Sequence, residues 1–200
     1  MSTTRLFRIM VCVAVTFLMP ARALAGEPTK QIRQTTDNII AILKDPALDT
    51  PDKAQERRRL IRKAAEERFD WREMARRSLA RHWARRTPEE KKEFVNLFTD
   101  LLEHTYMKKI DSYSGEEVYY EGERIDDGYA VVEVTVVTSQ DTEIPVVYRL
   151  KKENGDWLVY DVAIERVSLV NNYRVQFNSI ILRSSYENLV ERLRAKISQG

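Results

Sequence analysis

The apolar positions of this chain fall into three textures. From residue 27 to about 112 they recur every three to four residues, from 116 to 165 they alternate, and from 168 to 198 the helical period returns. Ile32, Ile39, Ile40 and Leu43 mark a first helix, which Pro46 stops. Thr50-Pro51 offers a cap with proline in the first helical turn, and the mostly charged stretch from Thr50 to Phe69 is expected to cover the domain from outside. Asp70-Trp71-Arg72-Glu73 and Thr87-Pro88-Glu89-Glu90 both have capping-box spacing. After Thr87, a single helical stripe collects Phe94, Leu97, Phe98, Leu101, Leu102, Tyr106 and Ile110.

The alternating block carries its own punctuation. Asp126-Asp127-Gly128 separates 117–124 from 129–138, and Asn154-Gly155 separates 142–152 from 157–165. Asx-Gly between β-rich runs predicts tight hairpins, hence four antiparallel strands in a meander. Period two places Val132, Val134 and Val136 on one face of the second strand. The same rule aligns Ile144, Val146, Tyr148 and Leu150 in the third, and Leu158, Tyr160, Val162 and Ile164 in the fourth. Pro145 belongs at an edge or a strand start. The last helix carries Val170, Tyr173, Phe177, Ile180 and Ile181, then Tyr186, Leu189, Val190, Leu193 and Ile197. A sheet with one apolar face and several amphipathic helices predicts an α+β fold with helices laid on that face.

The first 25 residues follow a different logic. Arg5 and Arg8 precede the apolar run Ile9–Leu18, Pro20 ends it, and Ala23-Leu24-Ala25 is a small-x-small site. This order predicts a secretory signal peptide over 1–25 and one mature domain over 26–200. Ten apolar residues are about half of the ~20 that a membrane span needs. Cleavage changes the charge balance. Arg5, Arg8 and Arg22 leave, so 33 Lys and Arg become 30 against 31 Asp and Glu, and a net +2 becomes −1. The apparent basicity belongs to the leader, which weakens a nucleic-acid reading. Cys12 leaves too, so the mature chain has no disulfide, thiolate nucleophile or cysteine metal site.

Candidate chemistry is sparse. The chain has no G-x-S-x-G, no H-E-x-x-H and no glycine-rich phosphate loop. His82 lies in an arginine-rich helix and His104 beside the apolar stripe, both fitting ordinary helix positions. Asp161 and Glu165 stand out at the end of an apolar strand. Either they pair with an arginine or cap the next helix, or they place a carboxylate at a pocket mouth. Arg77, Arg81 and Arg85 are spaced one helical turn apart, either as a solvated face or as a docking patch for an acidic partner.

The C-terminal third carries a resemblance. Trp157-Leu158-Val159-Tyr160-Asp161-Val162 leads to Glu165, then Val167-Ser168-Leu169-Val170, Asn172-Tyr173-Arg174 and Gln176-Phe177. Upstream stand Phe69-Asp70-Trp71, Met74-Ala75, Leu79, His82-Trp83 and Thr87-Pro88-Glu89. From about Gly26 to Lys196 the chain resembles the MlaC or toluene-tolerance family of ABC-transport auxiliary proteins. It departs at Arg166, where many relatives carry glycine. The resemblance implies a monomeric periplasmic phospholipid carrier and no enzyme. Its partners would be an inner-membrane MlaFEDB-type transporter and an outer-membrane Mla-type complex, with no cofactor beyond the lipid cargo. It also implies a nuclear-transport-factor-2-like fold, in which a curved sheet of about four strands, several N-terminal helices and a C-terminal helix enclose an apolar cavity.

On that reading the acyl chains pack against Val132, Val134, Val136, Val146, Tyr148, Leu150, Leu158, Tyr160, Val162 and Ile164. Tyr106, Ile110, Tyr173 and Phe177 face them from the helices, and Arg77, Arg81 and Arg85 dock the partners. Two chains of ~15 methylenes at ~0.8 kcal/mol each cost about 24 kcal/mol to leave in water, so the pocket must be deep. The alternatives are an enzyme of isomerase or dehydratase type on the same kind of fold, using Asp161 with Tyr148 or Tyr160, and an envelope docking module using the arginine face.

Overall fold

The computed structural model describes residues 26–198, and every side chain among them except that of Lys108. The proposed signal peptide lies outside the described residues. Six helices are present: α1 (Glu27–Leu43), α2 (Ala54–Glu66), α3 (Trp71–Leu79), α4 (Pro88–Asp111), α5 (Leu169–Arg183) and α6 (Tyr186–Ser198). Five strands form one antiparallel, open and curved sheet in sequential order: β1 (Glu117–Asp126), β2 (Tyr129–Val137), β3 (Glu143–Glu153), β4 (Asp156–Ile164) and the two-residue β5 (Val167–Ser168).

Local chemistry accounts for most boundaries. Thr87 and Glu90 close a reciprocal capping box, with Thr87 N donating to Glu90 Oε2 at 2.7 Å and Glu90 N to Thr87 Oγ1 at 3.2 Å. Asp70 Oδ1 accepts from Glu73 N at 2.9 Å and caps α3. Asp127-Gly128 and Asn154-Gly155 both have positive φ at their two positions, as a type I′ hairpin requires. Pro145 is the third residue of β3, close to the strand start, although that strand lies inside the sheet.

Three features differ from the sequence expectation. The C-terminal helix is two helices, because the chain breaks at Ser184-Ser185 and Ser185 Oγ accepts from Asn188 N at 3.1 Å to start α6. A fifth strand exists, joined to β4 through a tight turn at Glu165 (φ 49°) and Arg166 (φ 68°). The helices also do not all lie on the apolar sheet face. Phe94, Phe98, Tyr173, Phe177 and Tyr186 stack and edge together with Met74, Leu79 and Leu189 in a helical core of α3 to α6. That core adjoins β4, whereas α1 is the helix whose buried Ile32 enters the sheet core. Phe69 packs against both cores.

The edge of β4 is closed by the α2–α3 link. Val159 N donates to Arg68 O at 2.8 Å and Asp70 N to Val159 O at 2.9 Å. Lys151 Nζ, one strand over, pairs with Asp70 Oδ2 at 2.7 Å. Pairing here removes an exposed edge that would otherwise invite association.

Arg166 tests the turn account. A non-glycine residue at positive φ is strained, and glycine is not. Arg166→Gly is expected to stabilise the fold by about 1 kcal/mol, seen as a rise of ~2–4 °C in melting temperature. No rise would mean that the arginine makes a compensating contact.

Candidate functional site

The inward face of the sheet is apolar but unevenly covered. Across the strands, Ala130 pairs with Leu150, Val132 with Tyr148, Val134 with Val146 and Val136 with Ile144. At one end of this face Ala130, Val132, Leu150, Trp157 and Val159 are fully buried together with Ile32. At the other end Val118, Val136 and Ile144 are only half-buried, as are Tyr120 and Ile164 flanking buried Val134 and Val146, and Tyr148 opposite Val132.

The covered end is held by polar contacts from α1. Gln31 Oε1 accepts from Trp157 N at 2.9 Å and from Arg68 Nη1, which also donates to Trp157 O at 2.9 Å. Glu123 Oε2 accepts from Thr29 N at 2.7 Å and Thr29 Oγ1 at 2.6 Å. These bonds seat α1 over one part of the face and leave the rest to the half-buried residues.

Two deep tyrosines lie part-way along this face, Tyr148 opposite Val132 and Tyr120 opposite Val134. Burial pushes the Tyr148 phenol up to about 12, with Tyr120 adding to the shift. Burial also raises Tyr120, whose ring lies 4.0 Å beneath the Arg33 guanidinium. The Tyr120 hydroxyl is buried and, among the described residues, outside hydrogen-bond geometry.

The predicted contact residues divide on inspection. Val132, Val134, Val136, Val146, Tyr148, Leu150, Val162 and Ile164 share the inward face. Leu158 and Tyr160 do not. Arg149 pairs with Asp161 but Leu150 pairs with Val159, so β4 bulges at Tyr160 and the side-chain parity reverses. Trp157 and Val159 take the inward places instead. Tyr160 turns to the opposite face, where it meets the Tyr129 ring at 6.0 Å and lies under the Arg77 guanidinium at 4.1 Å. Tyr173 and Phe177 belong to the helical core and not to the sheet face. Tyr106 is half-buried against that same core, and Ile110 is half-buried outside both cores.

The carboxylate question resolves structurally. Asp161, 7% exposed, accepts from Arg149 Nη1 at 2.9 Å, Ser168 Oγ at 2.7 Å and Val170 N at 3.1 Å. It ties β3 to the start of α5, and its oxygens are occupied by that task. It lies on the face opposite Tyr148, so that pair is not assembled, while Tyr160, on Asp161's own side of the sheet, packs on the Tyr129 ring and under the Arg77 guanidinium. Glu165 occupies the β4–β5 turn. Among the described residues no group of His, Cys, Asp and Glu has metal-binding geometry, and no helix is long and apolar enough to cross a membrane.

The arginine ladder is also broken. Helix α3 ends at Leu79, Ala80 has φ 48°, and Ala80–Arg85 is a 3-10 turn, so the three arginines share no continuous stripe. Arg77 donates to Glu73 at 2.7 Å, Arg81 donates to Asn178 at 2.9 Å, and Arg85 is exposed. His82 also contacts Asn178, at 3.0 Å. A cavity of 390 Å³ lies nearby, lined by Arg72, Trp83, Pro88, Lys91, Lys92, Val95 and Asn96, and a second of 370 Å³ adjoins it along α4. Neither is lined by a sheet residue.

Two mutational outcomes follow from these polar clusters. Asp161→Ala strands three donors around a buried site and is expected to cost about 2–3 kcal/mol, lowering the melting temperature by several degrees. An unchanged melting temperature would refute the tie between β3 and α5. Glu73 is held down to about 2, first by the Arg76 hydrogen bonds and then by Arg77 against an opposing burial effect. Its stabilising contribution is thus complete above the ordinary glutamate range and lost as pH falls towards 2. Glu73→Gln should flatten the acid limb of stability against pH between about 4.5 and 2, checked by chemical denaturation at each pH.

Comparison with known proteins bears on this face. Residues 33–195 match the family model of the MlaC protein. A curated relative from Haemophilus influenzae, named the intermembrane phospholipid transport system binding protein MlaC, is 21% identical over 126 residues. That alignment covers 60% of this chain and 59% of the relative, so it spans less than two thirds of the curated protein. A crystal structure of a phospholipid-binding protein from Ralstonia solanacearum in complex with a phospholipid superposes with a TM-score of 0.77 at 26% identity. It covers 87% of this chain and 98% of the other.

Proposed function

The chain belongs to the MlaC family, and from that premise we propose that it is a phospholipid carrier of the periplasm. The observation that carries the reading is the graded cover of the sheet. One end of the inward face is sealed by α1, while Val118, Val136 and Ile144 adjoin one another at the other end and stay half-buried, with Tyr120 and Ile164 half-buried beside them. A single half-buried valine is ordinary, but a row of adjoining apolar residues across three strands is a surface that hydrocarbon can cover. The similarity to a protein crystallised with a phospholipid supports the same assignment.

The physical fit is direct. Acyl chains need apolar contact and no hydrogen bonds, and this end of the sheet offers that. Val136 and Ile144 face each other across β2 and β3, with Val118 beside them on β1. The charged headgroup stays towards water, where its desolvation cost is avoided. Arg33 of α1 lies over the Tyr120 ring at 4.0 Å and offers a cation beside this surface.

The cargo would be exchanged with an inner-membrane MlaFEDB-type transporter and an outer-membrane Mla-type complex after removal of the leader at Ala25. The protein would act as a monomer and perform no covalent chemistry. Docking through Arg77 and Arg81 loses support, because both guanidiniums are engaged within the chain; Arg85 and the lysine-lined groove by Trp83 remain available for an acidic partner surface.

The test is lipid content. Protein purified from the envelope fraction, extracted into organic solvent and analysed by mass spectrometry should release glycerophospholipid. Val136→Glu places a charge on the half-buried patch, where an unpaired carboxylate against hydrocarbon costs well over the 1.4 kcal/mol that a tenfold change requires. That variant should remain folded and carry about tenfold less lipid or lower. Val134→Glu is the wrong probe, because Val134 is 3% exposed in the sheet core and a charge there attacks folding itself. A parent protein without lipid, or a folded Val136→Glu with the parent's content, would overturn the assignment.

A further inference from the structure

We propose that leader removal does more than release the protein: it creates an α-ammonium at Gly26 that pairs with the Glu123 carboxylate and latches α1 onto the sheet. The inference rests on the export reading, with cleavage after Ala25, and is independent of what the sheet face binds.

Glu123 is out of place on its strand. β1 bulges between Tyr120 and Gly122, and the shifted register pairs Glu123 with inward-facing Val132. A carboxylate thereby points to the apolar side of the sheet, where it needs partners. Thr29 supplies two hydrogen bonds, from N and Oγ1. Among the described side chains, Glu123 is held by these two Thr29 bonds and no ion pair.

Gly26 stands against that carboxylate. It is the residue before α1, with an extended backbone (φ −71°, ψ −178°), and its carbonyl accepts the first helical bond from Lys30 N at 3.1 Å. A Cβ at this position would overlap Glu123 Oε1 and lie 3.2 Å from Oε2. Covalent geometry then keeps the Gly26 nitrogen within about 4.5 Å of the Oε1 atom. A side chain here would have to displace the Glu123 carboxylate.

In the precursor this nitrogen is a neutral amide with one proton. Hydrolysis of the Ala25–Gly26 bond adds water across it, leaving a carboxylate on Ala25 and an ammonium with three donors on Gly26. The positive charge appears beside an acceptor that is already oriented by Thr29. Charge-assisted bonds in a partly buried setting are stronger than exposed pairs. The same helix carries Ile32 into the sheet core and Gln31 to the Trp157 amide, so a firmer first turn holds the covered end of the sheet. The leader-bearing form lacks the pair and is correspondingly easier to keep unfolded before export.

The experiment compares three forms of the mature chain: one starting at Gly26 with a free amine, its Nα-acetylated twin, and one starting at Ala25, which moves the charge outward by a residue. The free Gly26 form should melt about 2–6 °C above both others. Its Thr29 and Lys30 amides should exchange with solvent several-fold more slowly. In a Glu123→Gln background the gap between free and acetylated forms should close. Equal melting of the free and acetylated chains, or the same gap in Glu123→Gln, would overturn the latch. Should Glu123→Gln fail to fold, the exchange rates decide, and equal rates at Thr29 and Lys30 would overturn it. N-terminal sequencing reports a failed export reading separately, as a start other than Gly26. Phospholipid content, measured on the same samples, is expected to be unaffected.

Discussion

The structure depends on how an apolar sheet face is shared between protein and water. A curved antiparallel sheet with one hydrophobic side must be covered, and here α1 covers it in part, with Phe69 and Leu169 beside it. Ile32 and the contacts of Gln31, Arg68 and Thr29 pin α1 above Ala130, Val132, Leu150 and Val159. The remaining helices spend their apolar faces on each other, in the aromatic cluster of Phe94, Phe98, Tyr173 and Phe177. They have little left for the sheet. The end around Val118, Val136 and Ile144 stays short of cover, and a carrier of hydrocarbon is what such a shortfall suits. Burial of acyl chains there would satisfy the same hydrophobic demand that folding leaves unmet.

The polar devices of the fold all protect this arrangement from the side. Asp161 joins β3 to the first turn of α5, and the Arg68-Phe69-Asp70 link pairs with β4 at Val159. With β4 closed by these contacts, the helical core is fixed beside the sheet and does not collapse onto it. The bulge at Tyr160 belongs to the same scheme. It turns Tyr160 outward to Arg77 of α3 and Trp157 inward to the covered end, so one irregularity serves both layers.

Much of this was legible in the residues. Asp127-Gly128 and Asn154-Gly155 announced their hairpins because only certain residues tolerate two successive positive φ angles. The Thr87–Glu90 box and the stripe from Phe94 to Tyr106 announced α4 for equally local reasons. The inward faces of β2 and β3 also followed from simple alternation. What stayed hidden was non-local or rule-breaking. A bulge adds one residue without any compositional mark, so Leu158 and Tyr160 were assigned to the wrong face. Arginine at positive φ in the β4–β5 turn contradicts propensity and is held by the strand pairing around it. The break at Ser184-Ser185 is a weak polar signal inside an otherwise continuous apolar period. The spacing of Arg77, Arg81 and Arg85 looked like one stripe because nothing in the sequence marks Ala80 as a left-handed residue. Glu123 could be recognised as a cap for α1 only once the β1 bulge had brought it to the inward face.

The proposed carrier holds its hydrocarbon at the half-covered end of the sheet. Photo-crosslinking with a phospholipid carrying a diazirine in its acyl chain, followed by peptide mapping, locates it. This placement predicts labels on Val118, Val136, Ile144 and Ile164, with few on the sealed residues Leu150 and Val159. Labels concentrated instead on the groove by Trp83, Lys91 and Lys92, with the sheet face unlabelled, would contradict it.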